Sequence, residues 1–281
     1  MAAITRREVV VGGVRSLVRE AGEASAREAV VFVHGNPGSS EDWLDLMGRV
    51  GGFTRAVAPD MPGFGKADRP RTFEYTVPGY AAHLDGVLRE LGVDRAHLVL
   101  HDFGGPWGLE WASRHPKAVA SITLVNVGIM IGYRWHKYAR VWRTPVLGEL
   151  FQLTGTRGML HKVLNAENPK PFPPAFVNRM LDDMDWGTKR AVLRLYRATG
   201  DIDGLSKELA ERLTPLQLPA LVLWGTGDTY VPSRFAEAQR AYFVDTQVHL
   251  LDGCGHWPFI DDPERCASLI VPFLQKQVGP A

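Results

Sequence analysis

The sequence has few cysteines, almost no net charge and no long apolar run, and each shortage removes a class of protein. Two cysteines, Cys254 and Cys266, in 281 residues do not build a disulfide framework. Lys and Arg number 32 against 31 Asp and Glu, a net charge of +1, and no basic run is interleaved with aromatics. Nucleic acid and an anionic membrane surface are therefore not expected partners. No stretch of about 18 apolar residues suggests a membrane span. The first residues reach charge at Arg6 and Arg7 and show no signal-peptide pattern, so a cytoplasmic, reducing setting is the expectation. Internal repeats and low-complexity segments are missing too. What is present is a globular composition, 45% apolar and 22% charged, enough for a sizeable core.

Short β-branched runs alternate with helical segments. Residues 7–19 read as a hairpin turning at Gly12 and Gly13, followed by strands at 29–34, 55–59, 97–102, 119–126, 220–224 and 247–251. Runs such as Val30 to Val33 are apolar on both faces, as strands of a parallel sheet covered by helices on each side must be. Thr76 followed by Pro78 marks a helix start, and Tyr80, Leu84, Val87, Leu88 and Leu91 fall on one stripe that Gly92 ends. The alternation argues an α/β class with a mostly parallel, doubly wound sheet. From 129 to 212 no strand is evident, and Trp, Tyr, Arg and Pro are abundant. This segment reads as an inserted helical cap, leaving 1–128 and 213–281 as the core.

The strongest chemical signal is Leu98 to Trp107, LVLHDFGGPW. An apolar strand enters a turn of small residues that opens a helix, the setting of a nucleophile elbow, and the apex residue is Asp102. Asp there could also cap the following helix. Its company favours chemistry: Asp228 ends a later strand in WGTGD, and His256 lies 28 residues beyond in GHWP. Nucleophile, acid, histidine is the order of α/β-hydrolase triads. His34 and His101 read as structural, and Asn126 leaves a second possible acid position non-acidic. The loop His34-Gly35-Asn36-Pro37 after the first long strand can aim the Asn36 backbone N–H at an oxyanion, joined by the N–H of Phe103.

An aspartate, with a reference pKa of about 3.9, is ionised without a base. It suits displacement at saturated carbon, giving an alkyl ester on the enzyme that water, activated by His256, then hydrolyses. With HGNP at 34–37, PDMPGFGKADRP at 59–70, VLHDFGGP at 99–106, WGTGD at 224–228 and GHWP at 255–258, the chain resembles the haloalkane dehalogenase and epoxide hydrolase branch of the α/β-hydrolases over nearly its full length. That resemblance implies a cap over an apolar pocket, a small apolar organic substrate with water, and no cofactor or metal.

The branch divides by leaving group. Halide needs N–H donors, and Asn36 matches the dehalogenase amide that binds it. Phe103 stands where dehalogenases carry tryptophan, so a second donor must come from elsewhere: Trp107, Trp135, Trp142 or Trp186. An epoxide oxygen needs phenols, for which Tyr196, Tyr133 and Tyr138 are candidates. All of these aromatics could equally be packing residues. Dehalogenase-like cleavage is the first expectation, epoxide hydrolysis the alternative, and a non-catalytic ligand-binding scaffold the remote one.

Overall fold

The computed structural model describes residues 1–279. Among them, eight strands form one sheet in the order β1-β2-β4-β3-β5-β6-β7-β8. They are β1 (Ile4–Val11), β2 (Val14–Ala21), β3 (Glu28–Val33), β4 (Arg55–Pro59), β5 (Arg95–His101), β6 (Val119–Val125), β7 (Pro219–Gly225) and β8 (Val244–Leu251). The hairpin β1–β2 and the pair β2–β4 are antiparallel, and every other pair is parallel.

Two-residue periodicity divides the apolar side chains between two cores. Val31 and Val33 of β3, with Leu98 and Leu100 of β5, enter one; Val30, Phe32 and Val99 enter the other. The first core is covered by α2 (Val77–Glu90) and α3 (Gly104–Arg114), the second by α1 (Leu44–Val50) and a C-terminal helix. Helix α2 starts at the expected place, where the Thr76 side chain accepts the Gly79 N–H at 3.1 Å. The chain is thus α/β and doubly wound.

Between β6 and β7 lie six α-helices and no strand: α4 (Lys137–Arg143), α5 (Leu147–Thr154), α6 (Arg157–Ala166), α7 (Pro174–Asp182), α8 (Trp186–Ala198) and α9 (Ile202–Leu213). The last differs from the others. Leu209 and Leu213 are buried in the sheet-side core, and Arg212 pairs with Glu110 of α3 at 2.6 Å, so α9 packs as a covering helix of the sheet. Helices α10 (Arg234–Ala238), α11 (Pro258–Asp261) and α12 (Pro263–Val278) complete the chain. Among the described residues no helix is long and apolar enough to cross a membrane.

Because β3, β5, β6, β7 and β8 are neighbouring parallel strands, their C-terminal ends share one edge. The loops carrying Asn36, Asp102, Asn126, Asp228 and His256 all leave from that edge. Open α/β sheets place their sites there.

Candidate active site

Asp102 follows the last residue of β5 with φ at +49°, a left-handed conformation uncommon for a side-chain-bearing residue. The strand cannot continue through it, and the chain turns at once into α3. The turn is tight: a methyl on Gly35 would overlap the Asp102 side chain. Strain of this kind persists only where the surroundings enforce it.

Asp102 Oδ1 accepts the backbone N–H of Asn36 at 2.7 Å, and Oδ2 lies 3.3 Å from His256 Nε2. On its other side, His256 Nδ1 donates to Asp228 Oδ2 at 2.7 Å. Asp228 is locked by its own turn, since Oδ1 accepts the N–H groups of Tyr230 and Val231 at 2.7 and 2.9 Å. His101 Nε2 donates to the His256 carbonyl at 2.7 Å, fixing the histidine loop. His34 likewise braces the Asn36 loop, donating to the Gly35 carbonyl and accepting the Met61 N–H.

Three ionisable groups are thus stacked in the order carboxylate, imidazole, carboxylate. Burial disfavours the imidazolium, but the charges and hydrogen bonds of Asp228 and Asp102 outweigh it and raise His256 to about 10. Burial likewise opposes ionisation of Asp102, yet the facing His256 and the Asn36 N–H leave it below its usual range. His101, buried without a carboxylate of its own, is lowered to about 3 and is neutral.

Above this row opens a pocket with a mostly apolar lining, as small-molecule sites have. Asn36, Asp102, His256 and Tyr196 line it together with Phe151, Leu160, Val163, Leu164 and Met180. Asn36 Nδ2 reaches the Tyr196 hydroxyl oxygen at 3.4 Å, so the amide and the phenol stand side by side near Asp102. Burial, then the Asp102 charge, keeps the Tyr196 phenol neutral well above its ordinary range.

The remaining candidates separate. Trp107 is fully buried and stacked on Tyr80 at 4.0 Å, so it is a core residue outside the pocket lining, contrary to a leaving-group role. Trp135 and Tyr133 line a smaller cavity on another side of Asp102, with the Tyr133 hydroxyl donating to the Tyr230 carbonyl. Phe103 packs edge-on against Tyr196 at 4.9 Å. Trp186 is half exposed and lines neither cavity, contrary to a leaving-group role. Tyr138 and Trp142 do line the pocket; the Tyr138 hydroxyl is taken by Glu167, whereas the buried Trp142 Nε1 has no partner.

Two contributors escape a reading of the sequence. Asn126 donates to Asp228 Oδ2 at 2.7 Å and accepts the Gly225 N–H. His136, which lines both cavities, is driven by burial to about 4 and stays neutral. The positive φ of Asn126 is favoured by asparagine, but only the fold shows what its amide touches.

A doubly wound sheet with an elbow at Asp102 and a histidine–acid pair at the same edge defines a hydrolase-type scaffold. The chain belongs to the alpha/beta hydrolase fold family, whose model matches residues 28–263, and is a hydrolase of that fold. It is 28% identical to the 2-hydroxymuconate semialdehyde hydrolase of Pseudomonas sp. strain CF600, over 95% of this chain and 93% of the relative. In structure it is similar to haloalkane dehalogenase DbeA from Bradyrhizobium elkani, with TM-score 0.86, 23% identity, and coverage of 98% of this chain and 99% of that one. The epoxide hydrolase CorEH also shares the fold, with TM-score 0.82 at 18% identity and the same coverage.

Proposed function

We propose that the chain cleaves carbon–halogen bonds of small apolar molecules through an alkyl ester on Asp102, beneath a cap formed mainly by α4–α8. The observation that carries this reading is a carboxylate at the elbow, held ionised and facing an apolar pocket. A carboxylate displaces a leaving group from saturated carbon without prior deprotonation. An acyl substrate would instead give a mixed anhydride, so the likeness to a semialdehyde hydrolase is read as shared scaffold.

In this reading the two oxygens of Asp102 play different parts. Oδ2 attacks the halogen-bearing carbon, and the bonding pair leaves with the halide toward Asn36 Nδ2 and the Tyr196 hydroxyl. Oδ1, on the Asn36 N–H, becomes the ester carbonyl oxygen and later the oxyanion, with the Phe103 N–H as second donor. Esterification removes the Asp102 charge, and with it part of what keeps His256 protonated. The imidazole then loses its proton to solvent, accepts one from water, and hydroxide equivalent adds to the ester carbonyl. Collapse releases the alcohol and restores Asp102; overall R–X and water give R–OH, halide and a proton. Asp228 holds the Nδ1–H tautomer.

The buried phenol separates halide from epoxide. Halide needs only a hydrogen bond, which a neutral Tyr196 supplies. An epoxide oxygen must gain a proton, which a phenol pushed well above its ordinary range gives up less readily. Epoxide hydrolysis stays as the second reading because the Tyr196 hydroxyl, an acceptor from Asn36, keeps its own proton free for the pocket.

The test is intact-mass analysis of the His256→Gln variant after exposure to a small haloalkane and, separately, to an epoxide. A stable alkyl adduct mapped to Asp102 with the haloalkane is the expected result. An adduct with the epoxide alone selects the second reading, and no adduct across broad panels of either overturns both.

A further inference from the structure

Helix α5 presents an apolar face to solvent. Leu147, Leu150 and Leu153 are 47%, 53% and 63% exposed, and Val146 at its start is 78% exposed. At 100° per residue the three leucines share one arc, while Gly148 and Gln152 on the opposite side are buried. An exposed aromatic is tied to this helix. Lys189 donates to the Gln152 carbonyl at 2.9 Å and lies over the ring of Trp186 at 5.4 Å, and Trp186 is 51% exposed. Contiguous exposed apolar surface of this kind marks an interaction site.

The chain segments on either side of this helix are basic. Residues 134–162 hold six Lys and Arg and a single acid, Glu149, which Arg197 grips at 2.7 and 2.8 Å. Arg134, Arg140 and Lys162 are exposed and make no ion pair among the described residues. The overall charge of +1 hides this, because residues 129–212 carry 14 basic against 9 acidic side chains and the remainder is net acidic.

We propose that this face docks the chain onto an anionic lipid surface. Exposed leucines and a tryptophan with unpaired cations on the adjoining segments suit a lipid headgroup layer, where the apolar side chains are buried while Arg140 of α4 and Lys162 of α6 meet anionic headgroups. A second copy of the chain is the weaker occupant, because a two-fold contact would set this basic region against itself. The same helix also walls the pocket: Phe151 of α5 lines it, as do Trp142 of α4 and Leu160 of α6. Docking would thus hold the pocket wall at the layer where apolar molecules concentrate. The binding claim is independent of the chemistry proposed above, and its test reads binding alone.

The test is flotation of the full chain with vesicles of phosphatidylcholine, with and without about one-third phosphatidylglycerol, at low and at 0.5 M salt. Anionic vesicles should carry about ten-fold more protein, and salt should remove most of the difference because the Debye length shrinks. Leu150→Glu with Leu153→Glu should reduce binding to the neutral-vesicle level while circular dichroism stays unchanged. Should that variant misfold, Arg140→Ala with Lys162→Ala decides, with a loss of about ten-fold or more on anionic vesicles alone. No preference for anionic vesicles overturns the proposal, as does undiminished binding by the folded leucine variant. A wild-type dimer that the leucine changes dissolve, with no vesicle binding, makes the face a contact between copies and overturns it equally.

Discussion

Asn126 Nδ2 donates to Asp228 Oδ2 at 2.7 Å, the same oxygen that accepts the His256 Nδ1 proton at 2.7 Å. The amide also donates to the Gly255 carbonyl and accepts the Gly225 N–H, so one side chain joins the ends of β6 and β7 to the histidine loop. Removing it leaves Oδ2, among the described residues, with His256 as its one remaining hydrogen-bond partner, while Tyr230 and Val231 still hold Oδ1.

Asn126→Ala is therefore expected to lower turnover about ten-fold or more and to cost about 1–3 kcal/mol of stability, the usual range for a lost hydrogen bond to a charged group. Urea unfolding with steady-state kinetics checks this. Wild-type values in both measurements would strip Asn126 of its positioning role.

His256 should remain an imidazolium beyond pH 8 in the resting protein, visible as a late titration of its ring signals by NMR. A folded pKa of about 10 lies above the ordinary value of about 6.5. The charged form therefore adds stability that is complete below about pH 6.5 and fades as pH rises toward 10. Asp102→Asn removes one carboxylate at equal volume, so the titration should move to lower pH and stability near neutrality should fall. Ring signals that titrate at the ordinary value in both forms would contradict the stacked arrangement.

Gly35→Ala places a methyl where the Asp102 side chain sits. The carboxylate and the Asn36 N–H must both shift, and a displacement of about 1 Å at reacting atoms costs on the order of 100-fold in rate. Activity should fall by that order while circular dichroism reports an unchanged fold. Full activity in the variant would show that the turn has slack.

Tyr196→Phe keeps the edge-on contact with Phe103 and deletes one hydroxyl. Loss of a single neutral hydrogen bond to halide should lower kcat/KM with haloalkanes about ten-fold. A loss of several thousand-fold, with an epoxide as the better substrate of the wild type, would instead point to proton transfer by the phenol.

Much of this architecture is written locally in the chain. Asp102, Asp228 and His256 sit in turns whose glycines and preceding apolar runs announce a strand end, so their grouping follows once the sheet is parallel. The start of α2 is equally local, resting on Thr76 and Pro78. Trp107 is the opposite case: its stacking on Tyr80 joins α3 to α2, a tertiary contact with no trace in the string around it. Asn126, as a non-acid, looked like an empty position, because its value lies in a hydrogen bond to a residue 102 positions away. The boundary near 129–212 blurs for the same reason, since α9 shows helical periodicity like its predecessors but packs on α3.

Strands β6 and β7 are hydrogen-bonded neighbours, pairing Ile122 with Ala220 through Val125 with Leu223. The whole helical excursion from α4 to α9 therefore departs from and returns to one seam of the sheet. Lengthening, shortening or exchanging those helices need not alter the register of any strand. Change in the pocket wall is thereby uncoupled from change at the sheet edge that carries Asp102, Asp228 and His256, and a transplanted excursion of different shape could retune what enters without moving those residues.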